Sequence, residues 1–210
     1  IYSISQIRKL HHPQILKINE SNDNPKQLAF SAESVNSCLI NEVNLNPDEI
    51  EYIASQLSSA LFFLHHTARI AHLNIQPNSI VLSKSFSLKL CGFNFSSNIT
   101  GDSQKVFPNF GEWSNSASLP NINFSAPEMV TNKMMTNSCD IFSFGCVIYS
   151  CYLKRQLFSF STVNEMIRTL TNGMLVHPES ASDQMRQILS RCISFKPENR
   201  PTIDDIENSE

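Results

Sequence analysis

Two polar loops, set apart by the length of a short hairpin, constrain the fold of this chain more than any other feature. The first occupies residues 72–79 and reads His-Leu-Asn-Ile-Gln-Pro-Asn-Ser, and the second occupies residues 90–94 and reads Leu-Cys-Gly-Phe-Asn. Between them, residues 79–83 and 87–90 form two apolar runs. Short apolar runs bounded by turn residues are typical of strands. We therefore predict a β-hairpin that flanks the first loop.

Two amphipathic segments predict helices. Asn46, Pro47 and Glu49 combine an N-cap, a proline at the first helical position and an acid at the third. The apolar residues that follow recur at helical spacing and predict one buried face: Ile50, Ile53, Leu57, Leu61 and Leu64. Near the end of the chain, Ser182 and Asp183 open a second stripe. We interpret its members as core rather than as a binding groove: Met185, Ile188, Leu189 and Cys192.

The order and spacing of the two loops resemble the phosphoryl-transfer loops of protein kinases, H-R-D-x-K-P-x-N and D-F-G. Further signatures follow in family order: the end of the αC helix and the H-P-N-I turn (4–16), the fifth strand and hinge (27–35), the A-P-E element (125–128), the buried αF helix (140–145) and the closing R-P-T turn (196–202). The resemblance covers essentially the whole chain. It implies an α+β, protein-kinase-like fold with a mostly helical C-terminal lobe.

The resemblance also implies how the chain is organised. Residues 1–210 form one kinase-like domain, in which 1–36 are a remnant of the N-terminal β lobe and hinge and 37–210 are the C-terminal lobe. Because the match begins inside αC, we expect the domain to be incomplete at its N-terminus. The Gly-Phe-Asn-Phe strand end, with Trp113 and Leu119-Pro120 in the activation segment, is similar to the Scy-like pseudokinases, especially the branch associated with clathrin-coated vesicles.

The positions that act on phosphate in kinases carry other residues here. Asn74 stands where the general base is an aspartate, and an amide has no useful basicity at neutral pH. Ser79 and Gly92 stand at the two magnesium positions, which require hard oxygen ligands. Gln76 replaces the lysine of the first loop, and Ser3 replaces the αC glutamate. The resemblance thus implies a pseudokinase with no catalytic residue and no metal site.

A nucleotide could still bind without magnesium, because hinge carbonyls and an apolar floor need no metal. The resemblance implies a candidate adenine pocket. Ala32 lies at the gatekeeper position, Glu33 opens the hinge with Val35 beside it, and Val81 forms the floor.

Five residues are implied to hold the fold. Asp140, at the start of an apolar helix, would be costly unless its charge is satisfied, and in the family it accepts hydrogen bonds from the catalytic-loop backbone. Glu128 and Arg200 match a buried ion pair of the family. His72 and Phe93 match members of the regulatory spine, which we interpret here as core packing.

Charge and composition exclude several other functions. A net charge of −3 and a pI near 6.1 give no electrostatic footprint for nucleic acid or an anionic membrane surface. The most apolar run, 141–153, is too short to span a bilayer. Three N-x-S/T matches begin at Asn94, Asn98 and Asn123, and we interpret them as chance sequons. The cysteines lack metal-binding spacing and indicate free thiols in a reducing cytosol: Cys38, Cys91, Cys139, Cys146, Cys151 and Cys192.

Three functions remain open at this point. The first is a catalytically impaired scaffold that binds coat or adaptor proteins of vesicle traffic, in the cytoplasm or peripherally on Golgi, endosomal or coated-vesicle membranes. The second is a degenerate ATP-binding kinase with weak or no phosphotransfer. The third is a folding unit whose own surface is unused. The scaffold function is favoured, because the residues that hold a kinase fold are kept while those that act on phosphate are replaced.

Overall fold

A computed structural model of the chain describes residues 7–24, 27–33, 37–99, 105–106, 120–132, 134–173 and 178–209. Ser3, Val35, Trp113 and Leu119 lie outside the described residues. Strands are concentrated before residue 107, and helices dominate after residue 120. This distribution confirms the predicted α+β fold with a mostly helical C-terminal part.

The described strands are short. They are β1 (Ile18–Asn24), β2 (Gln27–Ala32), β3 (Ser37–Leu39), β4 (Ile70–Ala71), β5 (Ile80–Ser83), β6 (Leu88–Leu90), β7 (Ser97–Asn98), β8 (Lys105–Val106) and β9 (Met134–Met135). The described α-helices of five or more residues are α1 (Pro47–Phe62), α2 (Pro127–Thr131), α3 (Asn137–Leu153), α4 (Val163–Asn172), α5 (Asp183–Cys192) and α6 (Ile203–Glu207). A π-helical turn, Phe63–Ala68, extends α1.

The predicted hairpin between the polar loops is present. β5 and β6 pair antiparallel, with Ile80 opposite Leu90, and β3 adds to the other edge of β5. β1 and β2 form a separate antiparallel pair. On the far side of the second loop, β7 pairs with β4, which leads into the first loop. The ends of both loops are therefore fixed by strand pairing.

The predicted start of α1 is confirmed in detail. The Asn46 side chain accepts the backbone N–H of Glu49 at 2.9 Å, and the Glu49 carboxylate accepts that of Asn46 at 2.8 Å. This reciprocal capping box satisfies two donors that the helix itself leaves unpaired. The predicted apolar face of the helix is at most 2% exposed: Ile50, Ile53, Leu57, Leu61 and Leu64.

Helix α3 is buried on nearly every side and forms the centre of the helical part. Gly145 allows another segment to approach it closely, since a Cβ at this position would lie 2.7 Å from Cys192 Cβ. Such a contact is too short for any side chain to fit without a shift of α5. Among the described helices, none combines the length and apolar character that a membrane crossing requires.

The apolar stripe of α5 agrees with its prediction in part. Ser182 caps the helix as expected, by accepting the backbone N–H of Met185 at 3.2 Å. Leu189 and Cys192 are fully buried, but Met185 and Ile188 are only half-buried. The prediction that the stripe is core is confirmed for Leu189 and Cys192, while Met185 and Ile188 pack against the core from its edge and stay partly exposed.

The cysteine thiols that the structure describes are free: Cys91, Cys139, Cys146, Cys151 and Cys192. The Cys38 side chain lies outside the described residues. Burial raises the pKa of Cys151 and of Cys192 to about 12. Because the thiolate is the reactive form, these thiols are poor nucleophiles at neutral pH.

Candidate functional site

Asp140 holds the first polar loop in place from the central helix. Its buried carboxylate accepts the backbone N–H of His72 and that of Leu73, each at 2.7 Å. The same carboxylate lies 2.9 Å from Nε2 of His65, in the turn that ends α1. Three partners offset the cost of burying the charge. They also hold Leu73 at φ +60°, a left-handed conformation that a leucine rarely adopts.

The imidazole of His72 connects the two polar loops. Its Nε2 lies 2.9 Å from the carbonyl oxygen of Cys91, and because a carbonyl only accepts, Nε2 carries the proton. Nδ1 then accepts the backbone N–H of Asn74 at 3.3 Å. Burial lowers the pKa of His72, which favours this neutral form. The ring also meets Phe93 edge-on, with ring centres 4.5 Å apart.

The side-chain amide of Asn74 is engaged within the loops on both sides. Its Nδ2 donates to the carbonyl oxygen of Gly92 at 3.0 Å and to Oδ1 of Asn94 at 3.1 Å. Its Oδ1 accepts from Nε2 of Gln76 at 3.0 Å. Asn74 is only 8% exposed. Both donors and one acceptor of the amide are thus satisfied by neighbouring protein groups, and we call these four residues the amide network.

The hydroxyl of Ser79 closes a turn instead of facing a ligand. It donates to the carbonyl oxygen of Gln76 at 2.8 Å and accepts the backbone N–H of the same residue at 3.0 Å. Gly92, at φ +80°, lies directly against this turn, since a Cβ there would be 3.0 Å from Ser79 Cβ. The absence of a side chain at Gly92 lets the second loop approach the first closely.

These residues do not fit a magnesium ion. Magnesium prefers several hard oxygen ligands, usually carboxylates, in octahedral geometry. Gly92 has no side-chain oxygen, and the Ser79 hydroxyl is used within its own turn. Among the described residues, no group of three or more His, Cys, Asp and Glu side chains could hold a metal ion.

A buried ion pair ties α2 to the end of the chain. Nη1 of Arg200 lies 2.7 Å from Oε1 of Glu128, and Nη2 lies 2.8 Å from Oε2. The remaining guanidinium donors reach the carbonyl oxygens of Ser138, Ser194 and Phe195 at 2.9 to 3.2 Å. The pair is bidentate and fully hydrogen-bonded, the arrangement in which such pairs are strongest.

A groove of about 530 Å³ borders the first loop at residues 76–78. Its other walls come from residues 40–45 and from the end of α3 and the turn that follows it. Lys154 and Arg155 are exposed there, and neither pairs with a carboxylate of the described residues. The carboxylate of Glu42 accepts the backbone N–H of Leu39. The groove therefore carries an excess of positive charge beside the first loop.

A family model described as a protein kinase domain matches residues 2–210. The chain belongs to the protein kinase domain family. It is 28% identical to the protein kinase domain-containing protein ppk32 of Schizosaccharomyces pombe over 160 residues, which cover 73% of this chain and 21% of that protein. It is 27% identical to human SCY1-like protein 2, in a match that covers 97% of this chain and 26% of that protein. The similarity to SCY1-like protein 2 confirms the predicted Scy-like resemblance.

Another relative in the protein kinase domain family is the mouse inactive serine/threonine-protein kinase PLK5, which is 25% identical over 71% of this chain and 24% of that protein. The chain spans about a quarter of the length of the curated relatives it matches. Because the family includes kinases and a protein named inactive, membership alone does not decide activity. Whether this domain can transfer phosphate depends on the residues of its two polar loops.

By the motif match alone, four residues of the two loops, three of them in the amide network, stand at positions that act on phosphate in kinases. Asn74 occupies the position of the general base and Gln76 that of the loop lysine. Ser79 and Gly92 occupy the two magnesium positions. The structure brings all four together, and hydrogen bonds or close packing join each to another member of the set.

The candidate adenine residues of this kinase-like domain are only partly described. Ala32, at the end of β2, and Val81, on β5, are both half-buried. Burial alone would raise the pKa of Glu33, but the backbone N–H of Lys17 and the ammonium of Lys89, each 2.9 Å from its Oε1, hold that pKa below its usual value. The Glu33 side chain is therefore engaged in a local ion pair.

The roles of two residues of the site are not evident from the sequence motifs. No motif singles out His65, although its position in the turn that delivers the chain to the kinase-like loop could have suggested a contact with that loop. Asn94 belongs to the second loop and to the Gly-Phe-Asn-Phe strand end, but these motifs predict no role for its side chain, whose Oδ1 accepts from Asn74. Both contacts join segments far apart in sequence or in different loops, which motif spacing alone does not reveal.

Proposed function

We propose that this domain is a pseudokinase that binds partner proteins and does not transfer phosphate efficiently. The observation that carries the proposal is the amide network, in which Asn74 spends both its donors on Gly92 and Asn94. A general base must accept a proton from the attacking hydroxyl, and a neutral amide does not do so at neutral pH.

The expected loss of rate is large. General base catalysis alone contributes about a hundred- to ten-thousand-fold. Electrostatic stabilisation of the transferring phosphoryl group usually contributes still more, and here both metal positions lack a carboxylate. Together these losses leave little of the acceleration that a kinase provides.

The frame around the loops supports a binding role. Asp140 still fixes the first loop, and Glu128 and Arg200 still tie the helices together. The groove beside residues 76–78, with Lys154 and Arg155 at one end, is large enough for part of a peptide. A rigid domain with an open groove can bind a partner without modifying it.

The similarity to SCY1-like protein 2 over nearly the whole chain supports a role like that of the Scy-like proteins. We propose on this basis that the domain acts in vesicle traffic, in the cytoplasm or peripherally on Golgi, endosomal or coated-vesicle membranes. Its partners would be coat or adaptor proteins.

A binding experiment tests this function. The immobilised chain is incubated with purified clathrin and with purified adaptor complexes, with and without magnesium and ATP. We expect retention of a coat or adaptor protein that does not depend on ATP, and its reduction by the paired change K154E and R155E but not by K196E, an exposed lysine outside the groove. Retention of neither class of protein would contradict the proposal.

A second candidate function is nucleotide binding without phosphotransfer. The alternation along β5 favours it, because Ile80 and Leu82 are buried while Val81 is half-open on the other face. In the full-length protein, ATP should raise the melting temperature equally with magnesium and with EDTA. No shift at millimolar ATP would exclude this function.

A further inference from the structure

A second cavity, of about 350 Å³, opens between four helices. Its lining comes from α1, α3 and α5 and from α6 with the residues just after it. Ala54, Phe144 and Ile206 form a buried apolar floor. Met185 and Ile188, the two half-buried members of the α5 stripe, form one wall. The volume falls in the range of sites that hold a small ligand or a few side chains.

An acid and an aromatic ring stand side by side on the rim of this pocket. Tyr52 is 54% exposed, the highest value among the large apolar side chains that the structure describes. The carboxylate of Glu51 has one weak contact, at 3.5 Å from the hydroxyl of Tyr152, and no described lysine, arginine or histidine pairs with it. The remaining rim residues are neutral: Ser55, Ser182, Gln184 and Ser209.

We propose that this pocket binds a segment of a partner protein that places a large apolar side chain next to an arginine or lysine. The apolar side chain fills the space over Phe144 and Ile188. The neighbouring cation pairs with the Glu51 carboxylate and lies on the ring face of Tyr52. The inference rests on the proposed function, because it names the chemistry of one partner of the scaffold.

The charge on the rim selects this occupant. An acidic segment would meet Glu51 directly, with Asp48 one helical turn before it on α1. A purely apolar occupant would leave the Glu51 carboxylate at the mouth of the pocket without a cation to pair with. In protein interfaces a few residues supply most of the binding energy, and arginine and tyrosine are enriched among them.

Fluorescence anisotropy of labelled heptapeptides on the full-length protein tests the proposal. The first probe is Gly-Ser-Arg-Leu-Arg-Ser-Gly, and in two matched probes glutamate or serine replaces both arginines. We expect the arginine probe to bind at least fivefold more tightly than the serine probe and the glutamate probe to bind more weakly than both. The variant E51K should reverse the order of the arginine and glutamate probes.

Two further variants make the result specific to the pocket. I188D should weaken the arginine probe at least tenfold, because it places a charge in the apolar wall. E198K makes the same charge change as E51K at an exposed residue outside the lining, and we expect it to leave the order of the probes unchanged. Equal binding of the three probes, or an order that E51K does not alter, would overturn the proposal.

The failure of this inference can be told apart from failure of the proposed function. If no probe binds at millimolar concentration while clathrin or an adaptor complex is still retained, the pocket assignment is wrong and the scaffold function stands. If an arginine probe binds with the expected order while neither class of coat protein is retained, the pocket is a peptide site and the proposed partners are wrong.

Discussion

The side-chain amide of Asn74 donates a hydrogen bond to the carbonyl oxygen of Gly92 at 3.0 Å, and so joins the two polar loops directly. In the protein kinase family, the acids at these two positions face the substrate hydroxyl and the magnesium-bound phosphates. Here the same positions hold the loops against each other. The two substitutions therefore fit each other. The amide of Asn74 supplies the donor for the Gly92 carbonyl oxygen, and the absence of a side chain at Gly92 lets the two loops approach closely.

Restoring the acid at position 74 should destabilise the domain rather than activate it. N74D replaces the Nδ2 donor with an acceptor 3.0 Å from the Gly92 carbonyl oxygen. Leaving that buried contact unmade costs about 1 to 3 kcal/mol, which urea unfolding would measure. N78D, the same change at an exposed residue of the same loop, is the control. Equal stability of the two variants would show that the network contributes nothing.

Breaking the buried ion pair should have the largest effect on stability. E128Q removes one charge and leaves Arg200, whose side chain is 0% exposed, without its counter-ion. Such a loss typically costs about 3 to 5 kcal/mol. E198Q, at an exposed glutamate, should change the free energy of unfolding by less than about 0.5 kcal/mol.

The double variant E128Q and R200M checks the origin of that cost. If the cost comes from an unpaired buried charge, removing the second partner should recover part of the stability. Simple additivity of the two single changes would contradict a coupled pair.

His72 should make stability depend on pH below neutrality. Burial lowers its pKa in the folded state, so the unfolded chain takes up a proton near pH 6.5 that the folded chain does not. Above that pH, this effect of His72 does not reduce the free energy of unfolding. Below it, the free energy of unfolding falls as the pH decreases, by at most about 1.4 kcal/mol per pH unit for one group. Burial lowers the pKa of His12 as well, and it adds a contribution of the same sign.

Urea unfolding between pH 7.5 and 5.5 measures this slope. H72N should be less stable at pH 7.5 but should show a shallower decrease. A slope that is the same in H72N would mean that His72 binds protons equally in the folded and the unfolded chain, which would contradict the prediction.

Lys154 offers a stabilising change. It ends α3 at φ +53°, a left-handed conformation that favours glycine. K154G should raise the free energy of unfolding by about 0.5 to 1 kcal/mol. K196G, at an exposed lysine with φ −86°, should not stabilise, because no strain is relieved there. A loss of stability in K154G would indicate that the lysine side chain makes a contribution of its own.

Local patterns predicted the elements around the site well. The capping box at Asn46 and the apolar spacing after it gave the start and the buried face of α1, because both signals act within a few residues. The hairpin of β5 and β6 followed from two apolar runs and the turn between them. The motif order then predicted a kinase fold, which the family match confirms.

Contacts between distant segments could not be predicted in the same way. The stripe of α5 contains four apolar residues, but only the packing of α1, α3 and α6 determines that Met185 and Ile188 border an open pocket. Likewise, the substitution of Asn74 could be read from its position, but its bond to Asn94 depends on how closely the second loop approaches. Residue spacing in the sequence specifies neither the packing around Met185 and Ile188 nor the distance between Asn74 and Asn94.

A phosphotransfer assay on the full-length protein, with radiolabelled ATP, magnesium and a general protein acceptor, tests the proposed loss of catalysis most directly. We predict no incorporation above that of a parallel reaction with EDTA, and no difference between the unaltered protein and N74A. Magnesium-dependent incorporation that follows the protein through purification and is lost in N74A would contradict the claim that these loops no longer act on phosphate.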